Sequence, residues 1–260
     1  LVFAGQVNGT SGYEEAAAQG LMAGINAGNQ LLQLEPFILR RDEAYIGVLI
    51  DDLVTKGTEE PYRMLTSRAE FRLLLRHDNA DLRLSEYGHQ LGLISQQRYD
   101  YFTKKKVQIE QEISRLRNHY LLPNPDTNKR LLQAGFGEIK DKTPYFDLLK
   151  RPEVEYIPMM SFLEDTTVTS LEVCEQVEIS VKYEGYIKKA LVEAQKSIKE
   201  EKILIPVDID YSQLKNLALE ARSKLQKIRP LTIGQASRIS GVNPSDVQTI
   251  LVYMRSIKAK

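Results

Sequence analysis

The sequence predicts a mainly α-helical protein whose first part is a small strand, loop and helix. Three observations carry this. After Leu84 the pattern is almost wholly helical, with apolar stripes and serine caps at Ser95 and Ser212. Proline and glycine interrupt it in short clusters, as between helices. Two short apolar runs, residues 1–4 and 45–50, read as strands.

In chain order, LVFA (1–4) reads as a buried strand and GQVNGTSG (5–12) as a glycine-rich loop feeding a helix over 13–27. Free N–H groups at such a helix start attract phosphate or other electron-rich atoms, and glycines allow close approach. Within the helix, Ala16, Gly20, Ala23, Gly24, Ala27 and Gly28 form a small-residue face. Glycine is costly inside a helix, so this face implies close contact with a sheet, another helix or a flat ligand. Glu14 and Glu15 suit the positive end of the helix dipole. YIGVLI (45–50) is a second strand ending at Asp51-Asp52, a pair read as a turn or cap rather than a general base. Residues 55–58 then turn the chain.

Ser67 followed by Glu70 is a capping-box signature, predicting a helix that begins at Arg68. Arg68, Arg72 and Arg76 fall at i, i+4 and i+8 and share one face. Leu74 points to the core, flanked by Phe71 and Leu73, and Leu75 lies nearer the arginines. Arg63 sits just upstream. Guanidinium matches phosphate oxygens in two-point contact, and Tyr62 beside Arg63 gives an aromatic pairing suited to a nucleotide. The same spacing also describes an ordinary solvated face paired with Glu70, Asp78 and Asp81.

Ser95 caps a long helix over 96–117 with Tyr99, Phe102, Val107, Ile109, Ile113 and Leu116 as its buried stripe, and Lys104, Lys105 and Lys106 on its solvated face. Pro123 and Pro125 mark a linker, and short helices follow over 128–134 and 145–149. Helices resume at Leu171 and lead into a charged helix ending near Lys202. Residues 203–206 break it, Ser212 caps another and Pro230 stops that one. Residues 232–258 have helix, glycine turn, helix spacing. The second of these helices offers mainly Val247, Ile250, Leu251, Val252, Tyr253 and Met254, which suits packing on protein better than reading DNA. These elements group as 1–84, 85–170 and 171–260.

At 260 residues, 42% hydrophobic, the chain has enough for one large core or two domains. Its 35 basic and 35 acidic residues cancel, yet residues 182–260 hold 15 Lys plus Arg against 8 Asp plus Glu, a local net of +7 that would attract an acidic surface or polyanion. A single cysteine, Cys174, excludes an internal disulfide and fits a reducing compartment. No apolar run is long enough to span a membrane, and the expected location is cytoplasmic. The chain opens on Leu1 rather than Met, so a piece of a longer protein is expected.

AGQVNGTSGYEEAAAQGLMAGINA resembles the second signature of the MnmG (GidA) family, the FAD-dependent enzymes that install carboxymethylaminomethyl on the wobble uridine of certain tRNAs. PYRMLTSRAEFRLLLRHDNADLRL resembles the family's next block, and RPLTIGQASRISGVNP its C-terminal helical domain. The resemblance implies the C-terminal part of such an enzyme, its first segment being a remnant of an FAD-binding α/β domain. Gly5, Gln6, Asn8, Gly9, Gly12, Tyr13 and Glu14 would then touch FAD, with NADH as the family's reductant. Arg63, Arg68, Arg72 and Arg76 would meet tRNA. The helical end would bind the GTPase partner MnmE, within a homodimeric parent. No catalytic residue is assigned, because the family's two reactive cysteines are not matched by Cys174; the chain alone is expected to be inactive. Two rivals stand beside this reading. One is the related folate-dependent tRNA uridine methylating flavoprotein, which would not carry the SRAEFR block. The other is a helix-turn-helix nucleic-acid module without catalysis.

Overall fold

The computed structural model describes residues 1–58, 60–165 and 170–258, with only the main chain given for Ile257 and Lys258. The end of the 171–260 segment, residues 259 and 260, and positions 166–169 of the 85–170 segment lie outside the described residues. The fold is mainly α, with one two-stranded sheet among the described residues. Its helices are α1 (Tyr13–Leu31), α2 (Tyr45–Thr55), α3 (Ala80–Gln90), α4 (Gln96–Asn118), α5 (Pro125–Gln133), α6 (Tyr145–Leu149), α7 (Tyr156–Phe162), α8 (Leu171–Lys182), α9 (Glu184–Glu201), α10 (Leu219–Ile228), α11 (Ile233–Arg238) and α12 (Pro244–Lys258). Strands β1 (Tyr120–Leu121) and β2 (Thr143–Pro144) pair antiparallel. The chain divides into two compact units, residues 76–189 and a second formed by 1–75 with 190–260, whereas the sequence expectation places boundaries at 84 and 170.

In the 76–189 unit, α4, α6, α7 and α8 close over a core of Ile109, Leu116, Leu148, Leu149, Met159, Val173 and Val177. Ser95 caps α4 by accepting from Arg98 N–H. The buried stripe of α4 is Phe102, Lys105, Ile109, Glu112 and Leu116, while Val107 is exposed. Lys105 is therefore not on a solvated face. Its ammonium lies 2.8 Å from Asp81 and 3.4 Å from Glu172, so the ion pairs offset the cost of burial. Helix α7 had no counterpart in the sequence reading, and its Pro158 masks the signal.

In the other unit, α10, α11 and α12 enclose Leu225, Ile233, Ala236, Ile239, Val247, Ile250 and Met254. Thr232 caps α11, and Gly241 takes φ +88° in the turn before α12. Ser212 caps no long helix. Asp210 accepts its N–H at a short 3-10 turn, and α10 starts only at Leu219.

Three further expectations are corrected here. Residues 1–4 form no strand and are exposed, because no neighbouring strand takes up their main-chain groups among the described residues. Residues 45–50 belong to helix α2, whose buried Gly47, Val48, Leu49, Asp52 and Thr55 follow helical spacing; a six-residue apolar run does not distinguish the two. No helix begins at Arg68. Thr66–Arg68 is one 3-10 turn, Ala69 is extended, and Leu75 rather than Leu74 is buried, packed with Val48 and Ala69. The capping box fails because the Glu70 carboxylate is taken by Arg41, at 2.8 Å and 3.2 Å.

Candidate cofactor and nucleic-acid site

The glycine-rich loop is built around Gln19, buried one turn into α1 beyond Glu15. Its Oε1 accepts from Gly5 N–H at 3.0 Å and from Asn8 Nδ2 at 2.8 Å, and its Nε2 donates to Thr10 Oγ1 at 3.0 Å. Gly5 (φ +88°) and Gly9 (φ +84°) take left-handed positions that bracket a 3-10 turn, Gln6–Asn8. At Gly9 a Cβ would also lie 2.4 Å from Thr58 Oγ1, so glycine is required there on two counts.

The arginine block is strapped to this loop through Tyr62. Its N–H donates to Gly9 O at 2.7 Å, and Ser11 N–H donates to its carbonyl at 3.2 Å, making a single parallel bridge between Thr10 and Tyr62. The side chain is 3% exposed and its hydroxyl donates to Asp52 Oδ2 at 2.9 Å. Burial and the Asp52 carboxylate push that hydroxyl's pKa far up. Asp52 is 1% exposed and paired with Arg41 at 2.7 Å and Lys56 at 2.8 Å. Burial alone would raise its pKa, but Lys56, Arg41 and Tyr62 outweigh that and hold it below the usual carboxylate range. Asp51 and Asp52 are thus helix residues holding cations, not a turn.

Arg63 lies at the first turn of α1, with Nε 3.4 Å from Glu15 Oε1 and a side chain 57% exposed. The same Glu15 oxygen accepts Met64 N–H at 2.6 Å, which keeps the carboxylate ionised against the opposing effect of burial. Arg68 stacks on the Tyr62 ring, Cζ 4.2 Å from its centroid, and donates from Nε to Arg63 O at 2.8 Å. Arg72 is exposed, its Nε 3.4 Å from Ala69 O. Arg76 belongs to the 76–189 unit, paired with Asp78 at 3.1 Å.

Of the sequence-predicted residues, then, Gly5, Gln6, Asn8, Gly9, Gly12, Tyr13 and Glu14 share one corner with Arg63 and Arg68. The four arginines form no single helical face. Gln6, Asn8, Tyr13 and Glu14 are exposed there. Beside the loop runs a cleft of about 540 Å³ lined by Phe3, Asn8, Gln19, Met22, Phe37 and Val54, among others. On the small-residue face of α1, a Cβ built at Gly20, Gly24 or Gly28 would have no atom of the described residues outside its own helix within 4 Å. Glu15, Gln19, Arg41 and Asp52 were missed as site-forming residues. The signal available for the first two was their i, i+4 spacing directly after the loop.

Comparison with known proteins bears on this corner and on the helical remainder. Residues 1–35 match a family model described as glucose inhibited division protein A, and residues 96–191 and 193–260 match the C-terminal helical domain and C-terminal helical bundle of the tRNA modifying enzyme MnmG/GidA. The tRNA uridine 5-carboxymethylaminomethyl modification enzyme MnmG of Bacillus cereus is 57% identical over 258 residues, covering 99% of this chain and 41% of that protein. The chain belongs to the MnmG/GidA family. Its MnmG relative from Listeria monocytogenes is 56% identical over the same share of each chain. Aquifex aeolicus GidA, in its form II crystal, superposes with a TM-score of 0.79 at 41% identity, covering 96% of this chain and 39% of that one. The chain thus spans about two fifths of the length of the MnmG/GidA relatives it matches, with the C-terminal helical domains over residues 96–260.

Proposed function

We propose that the chain supplies the C-terminal part of an FAD-dependent enzyme that modifies the wobble uridine of tRNA, contributing one edge of the flavin site, arginines for tRNA phosphate and a helical surface for a GTPase partner. The observation that carries this is the junction of the glycine-rich loop with Arg63 and Arg68 through Tyr62, in a chain 57% identical to MnmG along 99% of its length. The loop's residues fit a flavin edge. Two glycines of positive φ bring main chain close, the Tyr13 and Glu14 amides open α1 beside the loop, and Gly12 leaves the space that the Glu15 carboxylate occupies, where a Cβ would lie 1.8 Å from Oε2. Gln6, Asn8, Gly9, Gly12, Tyr13 and Glu14 would hold that edge, with Gly5 fixing the turn. FAD, when bound, supplies the redox chemistry, with NADH as its reductant. This chain's residues bind and orient, and none of them is assigned a catalytic step. The parent is read as a cytoplasmic homodimer; among the described residues no helix is long and apolar enough to cross a membrane.

The partner surface is redefined by the packing of α12. Asp246, Val247, Ile250 and Met254 face inward, and Gln248, Val252 and Arg255 face out, with Val252 62% exposed. Most of the hairpin's apolar content is therefore absorbed by its own bundle, so deleting residues 232–260 would unfold the bundle rather than test the partner. The sharper test is Val252→Asp with Arg255→Glu, which should weaken complex formation with the GTPase at least tenfold and leave the melting temperature in place. For tRNA, neutralising Arg63 or Arg68 in the enzyme should lower the salt dependence of binding by about one phosphate contact each. An unchanged slope in both variants returns these arginines to plain surface charge, and an enzyme containing this sequence that shows no flavin absorbance refutes the cofactor reading.

A further inference from the structure

Tyr62 makes contacts in three directions at once. Its main chain holds Gly9 and Ser11 at 2.7 Å and 3.2 Å, its ring carries the Arg68 guanidinium at 4.2 Å, and its hydroxyl reaches Asp52 at 2.9 Å. Both ends of this arrangement are held by further contacts, and one arginine is common to them. Asp52 is held by Arg41 and Lys56. The same Arg41 donates from Nη2 to Arg68 O at 3.3 Å, and Arg68 Nε donates to Arg63 O. A guanidinium on an aromatic face gains about 0.5–2 kcal/mol, more as water is excluded, and a buried hydroxyl bound to a carboxylate resists rotation. Loop and arginine therefore share one rigid support.

We propose that Tyr62 is a positioning residue that sets the glycine-rich loop and the Arg68 guanidinium in one fixed relation, so that contact with the cofactor side and contact with a nucleic-acid phosphate are made from the same frame. This rests on the functional reading above for what the two ends bind, but the mechanical link stands on the contacts alone. Three variants separate its parts. Tyr62→Phe removes the hydroxyl, and with it the tether to Asp52 and a weak contact to Met64 Sδ at 3.6 Å, Tyr62→Leu removes the ring as well, and Arg68→Ala removes the cation and leaves the support.

Hydrogen exchange on the 260-residue chain reads the link directly. The Ser11 amide should exchange about tenfold faster in Tyr62→Phe, faster still in Tyr62→Leu, and at an unchanged rate in Arg68→Ala. tRNA affinity then reads its use. Tyr62→Leu and Arg68→Ala should weaken binding by similar factors, and the double variant by no more than either alone. An unchanged Ser11 rate in both Tyr62 variants overturns the proposal, as do losses in tRNA affinity that multiply in the double variant. If Arg68→Ala leaves tRNA affinity untouched, the phosphate assignment of Arg68 fails, while the Ser11 rates still decide whether Tyr62 holds the loop.

Discussion

Glu184 opens α9 with three cations around one carboxylate: Arg117 at 2.8 Å, Lys188 at 2.9 Å and Lys150 at 3.0 Å. Hydrogen bonds from these three groups lower its pKa from 4.5 to about 2. A carboxyl whose folded pKa is depressed adds stability that is fully present above its unfolded value and disappears as pH falls through the folded value. Glu184→Gln should therefore lower the urea midpoint by a constant amount above about pH 5, and the difference from the parent chain should shrink between about pH 4.5 and pH 2. A difference that persists unchanged to about pH 2 would mean that Glu184 acts by packing. The Glu184 side chain is 17% exposed but its partners Arg117, Lys150 and Lys188 are far more so, and solvent screening keeps the effect modest. Single residues of this kind were the least legible in the sequence. Lys105 reads as one of three surface lysines until the fold brings Asp81 and Glu172 to it, and Asp52 reads as a turn residue until Arg41, Lys56 and Tyr62 surround it.

At the scale of elements, α2 shows how local pattern and tertiary packing compete. Its first six residues are apolar or glycine, and what makes them helical is the close seat of Gly47 on the preceding segment. A Cβ there would lie 2.2 Å from Arg40 O and 2.6 Å from Leu39 O, both main-chain atoms with little freedom to retreat. Gly47→Ala should therefore destabilise the chain by about 1–3 kcal/mol even though alanine is the better helix former. A variant as stable as the parent in urea would show that this seat is loose. Elements with their own stop and start signals were legible: α4 behind Ser95, α6, the long α9, and the α11–α12 pair around Gly241. Those defined by a distant partner were not, since nothing within residues 60–76 announces that Glu70 will leave its capping role for Arg41. The candidate site followed the same division. Its loop was legible from glycines and helix start, whereas the arrangement of its arginines depended on Tyr62 and Asp52.

At the scale of the molecule, the unit formed by residues 1–75 and 190–260 is joined by charge. Arg238 of α11 forks onto Asp51 of α2, with Nε and Nη2 each 3.0 Å from a carboxylate oxygen, and also pairs with Glu201. Asp51 is shared with Arg41 at 2.9 Å. Removing one partner leaves the other with a single counter-ion, Glu201 for Arg238 or Arg41 for Asp51, so Asp51→Ala and Arg238→Ala should each cost about 1–2 kcal/mol, and the double variant less than their sum. Costs that simply add would show that the two charges act separately. Such a joint is geometrically strict. It holds one relative placement of the bundle and the loop-bearing segment, whereas apolar packing alone tolerates sliding.

The apolar residues left uncovered in the first part of the chain, Val2, Phe3, Val7, Leu21, Leu31, Leu32, Leu34, Ile38 and Val54, bear on how this polypeptide behaves as a colloid. Its formal charge is zero at pH 7 and its isoelectric point is about 7.0, so at neutral pH no net repulsion keeps two such surfaces apart. Solubility should pass through a minimum there and recover on either side. The electrostatic balance that makes the chain unremarkable by composition thus makes a neutral buffer the poorest choice for concentrating it.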